Sequence, residues 1–301
     1  MAKDSNWSKK VLGLHCDGTN GSTTITDVKG KTATLAGNTQ ISTAQYPPLT
    51  GKTSSLYFDG TGDYLTYANS SDWEFGSGDF TVKLWCRPAS AQVDTLIHRG
   101  TATGYTAWSM AWNGTTGKFG VDGSITGASY AWAINSTSTY SVNTWHLIEF
   151  VRSGTSIYLF VDGALEGSAT GVSGSLMAES GTMKIGTDRD NVYQYTGYMS
   201  EIEIYKGVAQ HTSAYTPPSD PFPDGGNEVG GTILDVNGLP VARTVRAYNR
   251  ATGALVGSGV SNSSSGQYLL TVDGEGEVQV VMLDDALGTL ENDQILRTIP
   301  V

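Results

Sequence analysis

Residues 54–88 constrain the fold most, because two runs of alternating apolar and polar residues are separated there by turn-forming Gly, Asp, Asn and Ser. In the second run, Phe80, Val82, Leu84 and Cys86 share one face, and the residues between them share the other. Successive side chains of a β-strand point to opposite faces, so this alternation predicts half-buried antiparallel strands. The stretch therefore predicts an all-β fold.

The composition agrees with this prediction and excludes several classes of protein. The chain has 38 Gly, 15 Tyr and 7 Trp, and its formal net charge is −11. Nucleic-acid binding needs a basic surface for phosphates, so we expect no nucleic-acid partner. The first residues lack the apolar core of a signal peptide, and no run is long enough to span a membrane. We therefore expect a protein made in the cytoplasm without membrane insertion.

The two cysteines, Cys16 and Cys86, both fall on apolar strand faces. A protein made in the cytoplasm keeps its thiols reduced, which favours two buried free thiols over a disulfide.

The order of strands and prolines predicts two domains. Hairpin-like segments continue to about residue 213, and residues 214–226 hold several prolines that cannot continue a ladder. Residues 227–301 contain further short alternating runs, enough for a second small core. The prediction is a polar arm at 1–10, a first domain at 11–213, a Pro-rich linker at 214–226 and a second domain at 227–301.

Particular phrases resemble known families. "SLYFDGTGDYLTY" at 55–67, "DFTVKLWCRP" at 79–88 and "NTWHLIEFVRSGTSIYLFVDGALEG" at 143–167 resemble the laminin-G-like, concanavalin A-like jelly roll of bacteriophage structural proteins. "GTILDVNGLPVARTVRAYNRATGALVGSGVS" at 231–261 resembles the carboxypeptidase-regulatory-like, transthyretin-like β-sandwich. The resemblance implies a concanavalin A-like jelly-roll sandwich followed by a smaller Ig/transthyretin-like sandwich.

Jelly rolls of this group often bind one calcium ion where the first and last strands meet, and calcium takes oxygen ligands. The resemblance implies a calcium site built from five residues: Asp17, Thr19, Asn20, Asp27 and Glu201. The alternative is that the residues near the first strand are ordinary turn residues.

Aromatic residues are numerous in loop-like segments of the first domain. Aromatic rings stack on the apolar face of sugars, while Asp and Asn bind hydroxyl groups. The predicted glycan or partner contacts are Tyr130, Trp132, Asp188, Tyr193 and Tyr195. Such aromatics can equally be subunit contacts or sandwich core.

Catalysis is the weakest of the possible functions. Glu201 and Glu203 are two apart on a predicted strand, as paired carboxylates of a glycosidase can be. The related hydrolases carry Glu-x-Asp-x-x-Glu, whereas this chain has Lys206 at the third position. The four histidines, at 15, 98, 146 and 211, accompany no nucleophile motif.

These observations predict a non-enzymatic bacteriophage virion protein, located in the virion as a head decoration or tail component. It would display the jelly roll on the particle and dock through its smaller domain. The expected partners are other virion proteins of the capsid or tail, a host glycan, and further copies in a homo-oligomer. The alternative is a carbohydrate-binding module that recognises host polysaccharide, and the third hypothesis is a glycoside hydrolase.

Overall fold

The computed structural model describes residues 3–100, 105–225, 227–235, 237–272, 277–283 and 295–298. Within these residues every regular element is a β-strand, apart from one short 3-10 helix at Ser71–Trp73. The prediction of an all-β protein is therefore confirmed. None of the described elements is a helix long and apolar enough to cross a membrane.

The chain divides into two compact units. The large unit is Lys9–Phe222, and the small unit combines Met1–Ser8 with Pro223–Val301. Most of the predicted Pro-rich linker thus packs with the large unit, up to Phe222.

Fifteen strands form the large unit. They are β1 Lys10–Leu14, β2 Thr34–Ala36, β3 Gln40–Ser42, β4 Ser55–Asp59, β5 Tyr64–Tyr67, β6 Phe80–Pro88, β7 Val93–Arg99, β8 Trp108–Asn113, β9 Lys118–Gly123, β10 Trp132–Asn135, β11 His146–Ser153, β12 Ser156–Val161, β13 Ala164–Ala169, β14 Met183–Ile185 and β15 Thr196–Lys206.

These strands form an antiparallel sandwich. One sheet has eight strands in the order β13-β12-β11-β6-β15-β4-β3, with β1 also paired to β15. The other has seven strands in the order β10-β9-β8-β7-β14-β5-β2. The apolar positions that alternate along the strands, such as Leu84 on β6 and Trp112 on β8, meet between the sheets in one core. We call the faces turned away from this core the outer faces.

The prediction that β6 is half-buried is wrong. Phe80, Val82, Leu84 and Cys86 do lie in the core, but the opposite face of β6 is buried as well. Trp85 on that face packs with Leu49, Leu147 and Phe222 in a second apolar cluster. Alternation reports which face is more apolar, and it does not show that another segment of chain covers the polar face.

The small unit has two sheets of its own. Its strands are β16 Asn227–Thr232, β17 Thr244–Asn249, β18 Leu255–Val260, β19 Gln267–Val272, β20 Val278–Met282 and β21 Ile295–Thr298. β16 pairs with β19, and the other four follow the order β18-β17-β20-β21. Val245, Leu270 and Val280 belong to its core.

Both cysteines are buried free thiols, as predicted. Burial raises the pKa of Cys16 to about 12, so this thiol is protonated and unreactive at neutral pH.

Candidate functional site

Lys52 joins two of the five predicted calcium ligands. Its ammonium donates hydrogen bonds to Asp17 Oδ1 at 2.7 Å and to Glu201 Oε1 at 2.8 Å. Glu201 lies at a β-bulge in β15 and is fully buried, and its Oε2 accepts a hydrogen bond from the Phe222 backbone N at 2.7 Å. The ammonium thus lies between the two carboxylates, where a bound cation would lie. Calcium binding stays a prediction, and it would require Lys52 to leave these carboxylates.

The other three predicted ligands have separate local roles. Asp27 Oδ1 accepts from the Gly13 backbone N at 2.9 Å, and Asn20 Oδ1 accepts from the Thr43 backbone N at 3.1 Å. Thr19 lies in an exposed turn. In the part of the chain that the structure describes, no group of three or more His, Cys, Asp or Glu side chains could hold a metal ion. The structure therefore joins Asp17 and Glu201 through Lys52 and gives Asp27 and Asn20 other hydrogen-bond partners.

Glu203, the second carboxylate of the hydrolase hypothesis, is neutralised by two lysines. Lys10 Nζ lies 2.5 Å from Glu203 Oε1, and Lys83 Nζ lies 3.1 Å from Oε2. The side chains of Glu201 and Glu203 are 0% and 2% exposed. A glycosidase carboxylate must reach the sugar, so this pair does not have the arrangement that hydrolysis needs. The prediction that the protein is not an enzyme stays a prediction.

Two of the predicted glycan contacts are wrong. Trp132 is 4% exposed and Tyr195 is fully buried, and both belong to the core of the large unit. Trp132 pairs in register with Gly123, and its ring fills the space above that glycine. The Tyr195 hydroxyl donates to the Tyr198 carbonyl at 3.1 Å. Both rings occupy inward-facing positions that the sequence alone did not distinguish from loop positions.

The remaining predicted contacts lie in loops. Tyr130 is 43% exposed and its ring meets that of Tyr105 edge to face, with centroids 4.6 Å apart. Asp188 Oδ1 accepts from the backbone N of Val192 and of Tyr193, at 2.7 and 3.1 Å, and so shapes its own loop. Tyr193 is 49% exposed, and its carbonyl accepts from the backbone N of Thr95 in β7.

Small residues on β8, β9 and β10 leave a depression on the seven-stranded sheet. Ala111, Gly120 and Ala133 lie at positions that alternate with inward-facing residues such as Trp112 and Phe119. A Cβ at Gly120 would lie 2.9 Å from Asn135 Oδ1, so a larger residue would crowd the floor. The depression has a volume of about 150 Å³. We call it the outer-face groove; it is lined by Val93, Ala111, Asn113, Gly120, Val121, Asp122, Ala133, Ile134 and Asn135.

One end of the groove carries a polar row. His98, Ser109 and Asp122 are in register across β7, β8 and β9. Ser109 Oγ donates to Asp122 Oδ1 at 2.8 Å. Burial raises the pKa of Asp122 to about 6, and the Ser109 hydrogen bond offsets only part of this rise. Asp122 is thus ionised at pH 7 but poorly solvated, so it favours a new hydrogen-bond donor.

His98, the third member of this row, is 7% exposed. Burial lowers its pKa to about 4, so the ring is neutral at pH 7. Thr106 Oγ1 donates to the Arg99 carbonyl at 2.9 Å, and it therefore accepts from His98 Nε2 at 2.9 Å. This assigns the proton to Nε2 and leaves Nδ1 as an acceptor.

Tyr130 is coupled electrostatically to the polar row, although it does not line the groove. Burial raises the pKa of its hydroxyl, the charge of Asp122 raises it further, and the charge of Arg189 acts in the opposite direction. The exposed ring therefore lies within electrostatic range of a carboxylate and a guanidinium. Sequence reasoning found this aromatic residue but missed its polar neighbours. The sequence does indicate this polar and open surface: in "WSMAWN" and "KFGVDG", small or polar residues alternate with large apolar ones.

Comparisons with known proteins match the large unit to a family. The family model described as Concanavalin A-like lectin/glucanases superfamily matches residues 59–213. No curated protein matches this sequence significantly.

Solved structures of similar fold align with most of the chain. The binding domain of Paraclostridial Mosquitocidal Protein 1 is 13% identical with a TM-score of 0.51, over 97% of this chain and 75% of that one. The binding domain of botulinum neurotoxin serotype G is 12% identical with a TM-score of 0.51, over 97% and 71%. The receptor binding domain of the botulinum neurotoxin C/D mosaic serotype is 14% identical with a TM-score of 0.50, over 92% and 72%.

Proposed function

This chain belongs to the concanavalin A-like lectin/glucanases superfamily, and we propose that it binds carbohydrate through the outer-face groove. The observation that carries the proposal is the poorly solvated carboxylate of Asp122 in the groove, together with the exposed ring of Tyr130, whose pKa the charge of Asp122 raises. A sugar offers hydroxyl donors to the first and an apolar ring face to the second. The similar solved structures are binding domains of toxins, which supports a binding role.

The groove combines the features expected of a sugar site. The sheet gives it a rigid floor, and the amides of Asn113 and Asn135 add donors and acceptors along its length. Ala111 and Ala133 supply apolar surface without blocking it.

A glycan array probed with the full chain tests the proposal. Tyr130→Ala removes the ring and Asp122→Asn removes the charged acceptor, and each should weaken binding by about tenfold or more. Tyr46→Ala is the matched control, because Tyr46 is 47% exposed and lies between β3 and β4 of the other sheet. Binding that the control retains and the two groove variants lose supports the site. A folded protein that binds no glycan contradicts the function.

We further propose the setting that the sequence suggests, the surface of a bacteriophage particle. The support is the resemblance of residues 55–88 and 143–167 to jelly rolls of phage structural proteins, and of 231–261 to a transthyretin-like domain. The small unit would dock on capsid or tail proteins, with several copies assembled together. Mass spectrometry of purified particles that carry this gene should detect the chain, and its absence from them contradicts the proposal.

A further inference from the structure

A second cavity lies beside the outer-face groove. It has a volume of about 340 Å³. We call it the end pocket; it is lined by Gly60, Thr61, Ser90, Gln92, Val93, Asp94, Val192, Gln194 and Thr196. Val93, the first residue of β7, lines both cavities. The groove and the end pocket are therefore adjacent.

Their sizes indicate that they act together. Ligand sites in proteins usually measure about 300–1,000 Å³. The groove, at about 150 Å³, is below this range and has room for a single sugar unit, whereas the end pocket reaches the lower end of the range. A longer ligand held in the groove must extend beyond it, and the end pocket on the other side of Val93 offers further surface.

The end pocket repeats the chemistry of the groove. Asp94 is 2% exposed, so it supplies negative charge at the pocket wall rather than a direct contact, and burial raises its pKa to about 6. Its Oδ2 accepts from the Thr196 backbone N at 3.2 Å. Val93 and Val192 are 38% and 67% exposed and give apolar surface. The exposed amide of Gln92 lines the same pocket and can bind a sugar hydroxyl, so the pocket joins polar and apolar contacts as the groove does.

The end pocket is also held in shape. The Gln194 amide accepts from the Gly62 backbone N through Oε1 and donates to the Asn191 carbonyl through Nε2 at 2.8 Å. This side chain connects the two loops that flank the pocket. A prearranged pocket loses less conformational entropy when it binds a ligand.

The charges select against an acidic ligand. Asp122 and Asp94 have neutral hydrogen-bond partners, Ser109 Oγ and the Thr196 backbone N. Arg189, the cation near Tyr130, is paired with Asp190, with Nε 3.0 Å from Oδ2. Among the residues that the structure describes, neither carboxylate forms a salt bridge, so their negative charge would repel an anionic sugar.

We propose that the outer-face groove and the end pocket form one site for an internal segment of a neutral polysaccharide, which crosses Val93 between them. This inference rests on the proposed function and adds the ligand class to it. A chain of several sugar units makes contacts in both cavities, whereas a single sugar occupies one.

Titration calorimetry of the full chain tests the inference. The probes are neutral gluco-, manno-, galacto- and arabino-oligosaccharides of roughly two to eight units, with oligogalacturonides of the same lengths as acidic probes. At least one neutral series should gain affinity by about tenfold or more from the shortest to the longest member. The oligogalacturonides should bind more weakly than that series.

A variant in the end pocket tests whether that pocket belongs to the site. Val192→Ser should weaken binding of the longest neutral probe by about threefold to tenfold and leave the shortest unchanged. The matched control is Leu165→Ser, because Leu165 is 44% exposed and lies on β13 in the other sheet. Equal affinities for short and long probes, with no effect of Val192→Ser, overturn the inference but leave the groove as a sugar site. A folded protein that binds none of the probes refutes both.

Discussion

Replacing Lys52 with methionine should strongly destabilise the large unit. The Lys52 and Glu201 side chains are 2% and 0% exposed, so the change leaves a carboxylate buried without its ammonium partner. Breaking a buried ion pair in this way costs about 3–5 kcal/mol. His15 Nδ1, 2.9 Å from Glu201 Oε1, and the Phe222 backbone N are the contacts that remain. Against a typical free energy of unfolding of about 5–15 kcal/mol, this loss is large.

Differential scanning calorimetry of the full chain measures the effect. For a domain of this length, each kcal/mol lost from the free energy of unfolding lowers the unfolding temperature by about 2–4 °C, so the unfolding temperature of the large unit should fall by about 6–20 °C. Lys118→Met is the control, because Lys118 makes one exposed hydrogen bond, to the Thr137 carbonyl at 3.3 Å. It should change the free energy of unfolding by about 0.5 kcal/mol or less. Adding Glu201→Gln to Lys52→Met should restore part of the loss, because the unpaired charge is then removed.

The pH dependence gives a second test of the same network. Burial lowers the pKa of Lys52, but the charge of Glu201 and the hydrogen bonds to Asp17 and Glu201 outweigh it, so the pKa lies above the usual 10.5. A raised lysine pKa stabilises the folded state fully below pH 10.5, and this stabilisation is lost as the pH rises through the folded-state pKa. The difference between wild type and Lys52→Met should therefore shrink in strong alkali. If the variant unfolds within about 2 °C of wild type at pH 7, the network does not stabilise the fold as argued.

Three further predictions follow from the large unit. Because burial raises the pKa of Asp122 to about 6, stability should rise as the pH falls from about 6 towards 3.8, while glycan binding should fall. In calorimetry, Asp122→Asn should reduce this stability change and leave the part due to Asp94, whose pKa burial also raises to about 6, and an undiminished change would contradict the assignment. Trp132→Ala should cost about 3–5 kcal/mol in chemical denaturation, since the ring is core and not a ligand contact, and an unchanged midpoint would contradict its burial. Gly60→Ala should destabilise the fold by roughly 1–2 kcal/mol in the same chemical denaturation experiment, because Gly60 has a φ of +84° and a Cβ there would clash with Thr196 Oγ1. A variant as stable as wild type would show that this turn tolerates a side chain.

The sequence predicted the positions of the strands better than it predicted which faces of the strands are covered by other parts of the chain. Alternation identified β6 and the core positions Phe80, Val82, Leu84 and Cys86, because a period of two follows directly from strand geometry. It could not show that the other face of β6 is covered, since that covering comes from distant residues such as Leu49 and Phe222.

The candidate site was only partly predictable for the same reason. Tyr130 was identified as an aromatic loop residue, but Trp132, two residues away, faces the core. Asp17 and Glu201 were predicted as ligands of one calcium ion, and both contact Lys52, which nothing near them in sequence indicated. The groove depends on which strands are neighbours, and sequence order alone does not give the register of Ser109 with Asp122.

The most direct test of the central claim is a comparison of glycan binding by wild type, Asp122→Asn, Tyr130→Ala and Tyr46→Ala on one array, with each fold checked by circular dichroism. The account predicts that wild type and Tyr46→Ala bind the same glycans, and that the two groove variants lose about tenfold or more in affinity. Equal binding by all four folded proteins would contradict the groove as the sugar site, and no binding by any of them would contradict carbohydrate binding itself.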